Sequence, residues 1–401
     1  MTGQNIHAAD DREAEAAGTA YRDPEPFALT AQGHELTFYP GGQGRLDCLI
    51  RLIDEARQSI RMCFYIFAED DTGRLVREAL TRAAARGVRC TLVVDCFGSE
   101  AEEDFFKPFT AAGGTQCKFS SRWTHRYLIR NHQKIVVVDD QTGMIGGFNI
   151  QDDYFALPQE NGWSDLGIVI EGPVVTDLVT WFDKLAAWTE DPQAKWQAIR
   201  RIIKGWEPGD GPVRLLVGGP TKGLSSWAAI VGRDLACSRR LDMAMAYFSP
   251  PKRLLRRVGR IARDGEARLV LAGKSDNAAT IGATRLLNSY LLKKDAQIWE
   301  FDACKLHTKL IVLDDAVYIG SANFDMRSLY LNLELMLRIE DASLAARMRE
   351  FVEWQMKGAR KITPKLHAER ATVWNRFRWG LSWLLVSVLD YTVSRRLNLG
   401  L

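Results

Sequence analysis

Apolar and polar positions change rhythm in a regular order along this chain. Short runs with a period near two alternate with longer stretches of period near 3.6, the spacings of half-buried strands and amphipathic helices. The first half reads HELTFYPGG, a helix through Leu46 to Arg57, then SIRMCFYIF and a helix from Arg74 to Arg86. The strand Val88 to Asp95 follows, then a further helix and a strand ending near Phe119. The second half repeats the order: VRLLVGGP, a helix through Ser225 to Cys237, RRLDMAMAYF and a helix from Arg253 to Arg263. The strand Ala267 to Gly273 and a helix ending in Leu291-Leu292 then lead into AQIWEF. The offset between copies is about 180 residues, the mark of one unit written twice.

Alternating strands and helices predict α/β layers, with helices covering a sheet. Trp206-Glu-Pro-Gly-Asp-Gly-Pro212 is dense in breakers and reads as a linker. The expectation is therefore two similar α/β domains, residues 27–205 and 213–356, packed about a pseudo-two-fold and joined by residues 206–212. Residues 1–26 are expected as a flexible arm and 357–401 as a basic, amphipathic tail.

Composition narrows the class. The chain has 401 residues, 46% hydrophobic and 26% charged, enough for two folded cores. A net charge of +3 demands neither nucleic acid nor an anionic membrane. The seven cysteines are odd in number and form no C-x-x-C pair, so a disulfide framework and structural zinc are not expected and a reducing compartment fits best. The N-terminus lacks the basic and apolar regions of a secretory signal. No apolar run reaches the length of about 18 residues needed to span a bilayer.

Two segments have the pattern of interfacial helices. Trp374 to Arg396 places Trp374, Trp379, Trp383 and Tyr391 around an apolar stretch with arginines at both ends, behind a basic cluster from Lys357 to Arg378. Lys195 to Trp206 sets Trp196, Ile199, Ile202 and Ile203 against Lys and Arg. Packing on the body of the protein is the competing reading for each.

The candidate chemistry is paired. His132-Gln-Lys134 through Asp139 and His307-Thr-Lys309 through Asp314 both read H-x-K-x4-D on β-branched runs. Residues two apart on a strand share a face. An imidazole beside a fixed ammonium suits in-line attack on a phosphodiester whose oxygens need holding. Each run turns and returns with a Gly and an Asn, Gly146-Gly147-Phe148-Asn149 and Gly320-Ser321-Ala322-Asn323. Glycine admits close approach of backbone to an anion, and an Asn amide can donate to it. Asn149, Asn323 and Ser321 are the expected phosphate-binding set. Asp165 and Glu334 follow, one per copy, as carboxylates to orient imidazole Nδ1. One such motif arises by chance in about one chain in a hundred; two at matching places in a repeat do not. Asp139 and Asp314 are candidates for the catalytic set, but as strand-end residues beside turns they also fit a structural role. His7, His34, His125 and His367 are expected bystanders, and Cys304 is expected to be packing.

These residues resemble the phospholipase D superfamily, and within it the bacterial cardiolipin synthases. Asn131-His-Gln-Lys134, Gly146 through Tyr154 and Trp163-Ser-Asp165 are similar to that group's first motif block. Gly320 through Leu329 and Asn332-Leu-Glu334 resemble its second, and Tyr65-Ile66-Phe67 and Gly273-Lys-Ser-Asp276 also echo the pattern. The resemblance runs from about residue 34 to 356. It implies two phospholipase D-like α/β/α sandwich domains with one active site at their interface. This sequence departs in two ways: it begins without the transmembrane helices common in the group, and only five residues separate Asp314 from Gly320 where six separate Asp139 from Gly146.

The resemblance further implies a two-step transfer without metal or cofactor, with His132 as nucleophile and His307 as acid and base. Its implied partners are anionic phospholipids, phosphatidylglycerol and cardiolipin, at the cytoplasmic side of a bacterial inner membrane, and no nucleic acid. Hydrolytic phospholipase D, a nuclease of the same superfamily and a non-catalytic membrane-binding protein are the alternatives.

Overall fold

The computed structural model describes residues 21–119, 129–191 and 193–389, so the expectations for residues 1–20, His125, Tyr391, Arg395 and Arg396 fall outside them. The first half supplies β1 (Phe27–Ala31), β2 (His34–Tyr39), β3 (Ser59–Phe64), β4 (Arg89–Asp95) and β5 (Thr115–Phe119). It continues with β6 (Ile135–Val138), β7 (Thr142–Gly146), β8 (Trp163–Ser164) and β9 (Gly167–Glu171). The second half supplies β10 (Val213–Gly218), β11 (Arg240–Met245), β12 (Phe248–Ser249), β13 (Glu266–Ala272), β14 (Gln297–Phe301) and β15 (Lys305–Leu306). β16 (Lys309–Leu313), β17 (Ala316–Gly320), β18 (Phe324–Asp325), β19 (Glu334–Glu340) and β20 (Ala359–Ile362) complete it.

Two eight-stranded sheets result, ordered β1-β2-β9-β7-β6-β3-β4-β5 and β10-β19-β17-β16-β11-β13-β14-β20. Without the edge strands β1 and β20 the two orders are the same. In each, three strands are parallel (β3-β4-β5 and β11-β13-β14) and the others antiparallel. The doubled pattern of the sequence is thus a doubled sheet.

Alternation within strands decides the layering. Ile135 and Val137 of β6 face a core shared by both halves, while Val136 and Val138 face an outer core. In β16, Leu310 and Val312 face the shared core and Ile311 and Leu313 the other outer one. The helices Val174–Glu190 and Ala342–Met356 fill the shared core through Leu178, Trp181, Phe182, Met348 and Phe351. Gly42–Glu55, Asp71–Ala85 and Glu103–Ala111 cover the outer face of the first sheet; Ser226–Cys237, Lys252–Asp264 and Ala278–Leu292 cover that of the second. Each such buried side chain contributes about 1.5–3 kcal/mol, so the two halves are held by one apolar layer.

The expected boundaries shift at three places. Tyr21 is buried edge-on against Phe301, 5.1 Å between ring centres, so the arm is anchored from there. Trp206 is buried and its indole donates to Leu215 O at 2.8 Å, which pins the start of the linker. Residues 359–362 pair with β14, so the second sheet extends past residue 356 and the tail begins inside the fold.

The helix Trp196–Lys204 buries Trp196, Ile199 and Ile203 in the shared core, so of the two readings the sequence left open for it, packing on the body of the protein is the one the structure shows. The C-terminal helix Val373–Trp383 does both things. It buries Trp379 and leaves Trp374, Phe377 and Leu381 exposed at 66%, 62% and 47%.

Candidate active site

His132 and Lys134 lie immediately before β6, and His307 immediately before β16, which Lys309 opens. Both segments are stitched to the opposite half. The His132 N–H donates to Leu333 O at 2.9 Å, and the Leu333 N–H donates to Arg130 O at 2.9 Å. Correspondingly, the His307 N–H donates to Ser164 O at 2.8 Å, and β15 pairs in parallel with β8. Leu333 and Ser164 are the residues just before Glu334 and Asp165, so each backbone bond delivers a carboxylate to the other half's histidine.

The side chains complete the exchange. His307 Nδ1 is 2.6 Å from Asp165 Oδ2, and His132 Nδ1 is 3.2 Å from Glu334 Oε2. With Nδ1 engaged on both rings, both Nε2 atoms are left for chemistry. The carboxylate expected within each copy therefore serves the other copy's imidazole.

Burial and charge set the protonation states. Burial and the neighbouring Lys134, Lys309 and Arg130 push His132 well below the usual imidazole range. Burial and Lys309 lower His307 to about 3, with Asp165 opposing. Lys309 Nζ lies 2.9 Å from His307 Nδ1, whose proton is directed at Asp165, so the ammonium acts there as a like charge. Burial lowers Lys134 to about 7 and Lys309 to about 8. The carboxylates diverge. Burial raises Glu334 to about 7, with Lys134 and Ser321 opposing. Burial also pushes Asp165 upward, but His307, Lys309 and Arg45 outweigh it and hold the carboxyl below its ordinary range. An anion bound between the lysines would raise both imidazoles and both ammoniums.

The surrounding wall is aromatic and close. Tyr65 lies 5.0 Å from the His132 ring; Tyr154 and Trp163 lie 4.9 and 5.1 Å from that of His307. The Tyr154 hydroxyl is 3.5 Å from His307 Nε2. Gly147 is needed here, since a Cβ would stand 2.7 Å from both Asp165 carboxylate oxygens. Asn149 Oδ1 accepts from the Ile66 N–H at 3.1 Å, which leaves its amide N–H groups to donate. Asn323 is buried at the matching place, with its Oδ1 unbonded. Ser321 departs from the phosphate-binding expectation. Its hydroxyl donates to Glu334 and accepts from the Leu335 N–H at 3.0 Å, so it has no proton left for a phosphate oxygen and fixes the carboxylate instead.

Asp139 and Asp314 are a second correction. The Asp139 carboxylate accepts from the backbone N–H groups of Arg57, Gln58 and Ser59 at 2.9, 2.7 and 2.9 Å. Asp314 accepts from Arg239 at 3.2 Å and Arg240 at 2.9 Å. They stand at the far end of the motif strands, roughly 20 Å of extended chain from the histidines, and anchor the starts of β3 and β11. Both have left-handed backbone, φ 53 and 48, in the hairpin turns. Register confirms the unequal turn lengths: Val138 pairs with Thr142, but Leu313 pairs with Ala316.

Two supports escaped the sequence reading. Arg45 is wholly buried, and its guanidinium donates to the carbonyls of Asp165 and Tyr154 at 2.7 Å each and to that of Pro40. It ties the Asp165 and Tyr154 segments together behind the site. Asp95 accepts from the Asn131 N–H at 2.6 Å and from Phe97 and Gly98, which fixes the residue preceding His132. Each is one charged residue in an ordinary helix or strand end, with no local pattern to single it out.

Comparison with known proteins places the chain in a family. A family model described as "Cardiolipin synthase, PLD-like domain" matches residues 49–186 and 235–356. A cardiolipin synthase of Listeria monocytogenes is 28% identical over 377 residues, 90% of this chain and 77% of that one. The major cardiolipin synthase of Bacillus subtilis is 28% identical over 379 residues, with the same coverage. Among solved structures, the phosphatidylserine synthase of Haemophilus influenzae is similar with a TM-score of 0.71 at 14% identity, over 97% of this chain and 99% of that one. That likeness is one of fold.

Proposed function

This chain belongs to the cardiolipin synthase, PLD-like domain family of phospholipase D-superfamily phosphotransferases, and from that premise we propose that it makes cardiolipin by moving a phosphatidyl group between two phosphatidylglycerol molecules. The observation that carries the mechanism is the crossed pairing of His307 with Asp165 and His132 with Glu334, which makes one site out of both halves.

The reaction runs in two displacements. His132 Nε2 attacks phosphorus of the donor, the P–O bond to its terminal glycerol breaks, and His307 protonates the departing alkoxide. The terminal hydroxyl of a second phosphatidylglycerol then attacks phosphorus, His307 takes its proton, the P–N bond breaks, and cardiolipin leaves. The two carboxylates support this division of roles. Asp165, held ionised, favours an imidazolium on His307 once the anionic substrate is bound; Glu334, raised to about 7, leaves His132 neutral and nucleophilic. Lys134, Lys309, Asn149 and Asn323 hold the phosphoryl oxygens.

The working position is peripheral, on the cytoplasmic face of the bacterial inner membrane. Among the described residues no helix is long and apolar enough to cross a membrane. The exposed Trp374, Phe377, Leu381 and Leu385 offer instead an apolar edge that can lie in the headgroup plane.

Lipid mass spectrometry after incubation with phosphatidylglycerol vesicles tests the proposal. Cardiolipin and free glycerol in equal amounts are expected. Phosphatidic acid as the main product would replace transfer by hydrolysis.

A further inference from the structure

Away from the paired histidines, a cleft of about 450 Å3 opens between the helices Ala278–Leu292 and Val373–Trp383. The helices meet closely at Gly282, where a Cβ would stand 2.6 Å from Ser382 Oγ, and part beside that contact. Arg285, Arg370 and Arg378 line the cleft, with Asn375 and Trp379. Arg285 binds Glu300 at 2.9 and 2.8 Å, and Arg370 binds it at 3.0 Å. One carboxylate faces three guanidiniums, so the cleft keeps a positive excess. Arg378 is exposed and has no ion pair among the described residues.

The position of Arg378 gives the cleft its meaning. By helical spacing, Asn375, Arg378 and Ser382 share the face that lines the cleft, while Trp374, Phe377, Leu381 and Leu385 form an adjoining apolar stripe. Arg378 stands at the seam, one turn from Trp374 and from Leu381. A ligand with an anionic head and an apolar body would find both halves of its surface matched across one helix edge. The loop from Gly273 also links the cleft to the catalytic wall. Asp276 on that loop accepts from the Tyr247 hydroxyl at 2.8 Å, and its carboxylate adds to burial in pushing up the phenol of Tyr154, which faces His307.

We propose that this cleft is a second phospholipid site, in which the three arginines take the phosphate of an anionic headgroup and the acyl chains lie along the Trp374–Leu385 edge. It docks the enzyme on the surface that holds its substrate and sets the helix at a fixed depth. The site requires no chemistry at His132 or His307, so it stands or falls separately from the transfer reaction.

Vesicle co-sedimentation of the full chain tests it, using phosphatidylcholine vesicles with and without phosphatidylglycerol. Arg378→Glu is compared with Arg376→Glu, the same charge change on the same helix at a position that does not line the cleft. The expected result is a loss of affinity for the anionic vesicles of roughly tenfold or more in Arg378→Glu, and clearly less in Arg376→Glu. Unchanged thermal unfolding in both variants keeps the comparison valid. Equal losses would reduce the effect to general surface attraction and overturn the site. Displacement of the protein from vesicles by inorganic phosphate, abolished by Arg378→Glu and at concentrations matching the lipid phosphate, would make this a free-phosphate site and overturn the lipid assignment.

Discussion

His307 Nδ1 lies 2.6 Å from Asp165 Oδ2 across 142 positions of sequence, and the matching contact of His132 with Glu334 is longer, at 3.2 Å. The two carboxylates also differ in charge state, Asp165 held ionised and Glu334 raised to about 7. Asp165→Asn is expected to lower kcat on the order of a thousandfold or more, since the amide cannot support an imidazolium or fix the tautomer. Glu334→Gln, which imitates the protonated acid, should cost only about tenfold. Steady-state kinetics on both variants check the asymmetry; equal losses would contradict the division of roles.

Asp139 and Asp314 should behave as anchors. Asp139→Ala removes three backbone acceptor contacts and forces a non-glycine, non-Asx residue to keep φ 53, a loss of about 2 kcal/mol or more in stability. The folded fraction should keep a kcat within a few-fold of the parent. The pH sign follows from the backbone donors, which with Arg57 overcome the upward push of burial and hold the folded-state pKa of Asp139 below its ordinary value. Its contribution is complete at neutral pH and is lost as pH falls through that lowered pKa. Denaturant unfolding at neutral and acid pH, paired with kinetics, separates the two effects.

Arg45→Met leaves the carbonyls of Pro40, Tyr154 and Asp165 without a partner in a buried place. A destabilisation of about 3–5 kcal/mol is expected, with a fall in kcat as the Asp165 segment loosens. Arg45→Lys should recover little of either, because one ammonium cannot reproduce the guanidinium fork. Thermal unfolding and kinetics on the pair provide the check.

The lysines give the pH profile its alkaline side. Lys134 and Lys309, lowered to about 7 and about 8, are charged below those values and neutral above them. In the proposed mechanism the charged form holds the phosphoryl oxygens, so kcat/KM should fall as pH rises through this range. Bound substrate is an anion and raises both lysines, so the fall in kcat should lie at higher pH. A kcat/KM that rises through this range would contradict the assignment.

How much of this was legible in the sequence follows from the range over which sequence patterns speak. Periods of two and 3.6 gave the strands, the covering helices and the doubling, because each is set by neighbours in the chain. The motif residues His132, Lys134, His307 and Lys309 were legible because they are spaced by one strand. The exchange of Asp165 and Glu334 was not: it depends on β8 meeting β15 and on His132 meeting Leu333, contacts between halves that no local spacing encodes. The stripe on helix Trp196–Lys204 left two readings open in the sequence for a related reason, since it looks the same whether a membrane or the shared core covers it, and the structure assigns it to the core. The helix Val373–Trp383 divides its aromatic residues, burying Trp379 against His367 while exposing Trp374.

In the proposed mechanism one site turns over through a covalent intermediate on His132. It is tested most directly by mass spectrometry of enzyme mixed briefly with phosphatidylglycerol and quenched in alkaline denaturant, where a phosphorus–nitrogen bond to histidine survives. A phosphatidyl adduct is expected on the peptide containing His132, lost on acid treatment and absent from His132→Ala. An adduct on His307, or turnover with no adduct on either histidine, would contradict it.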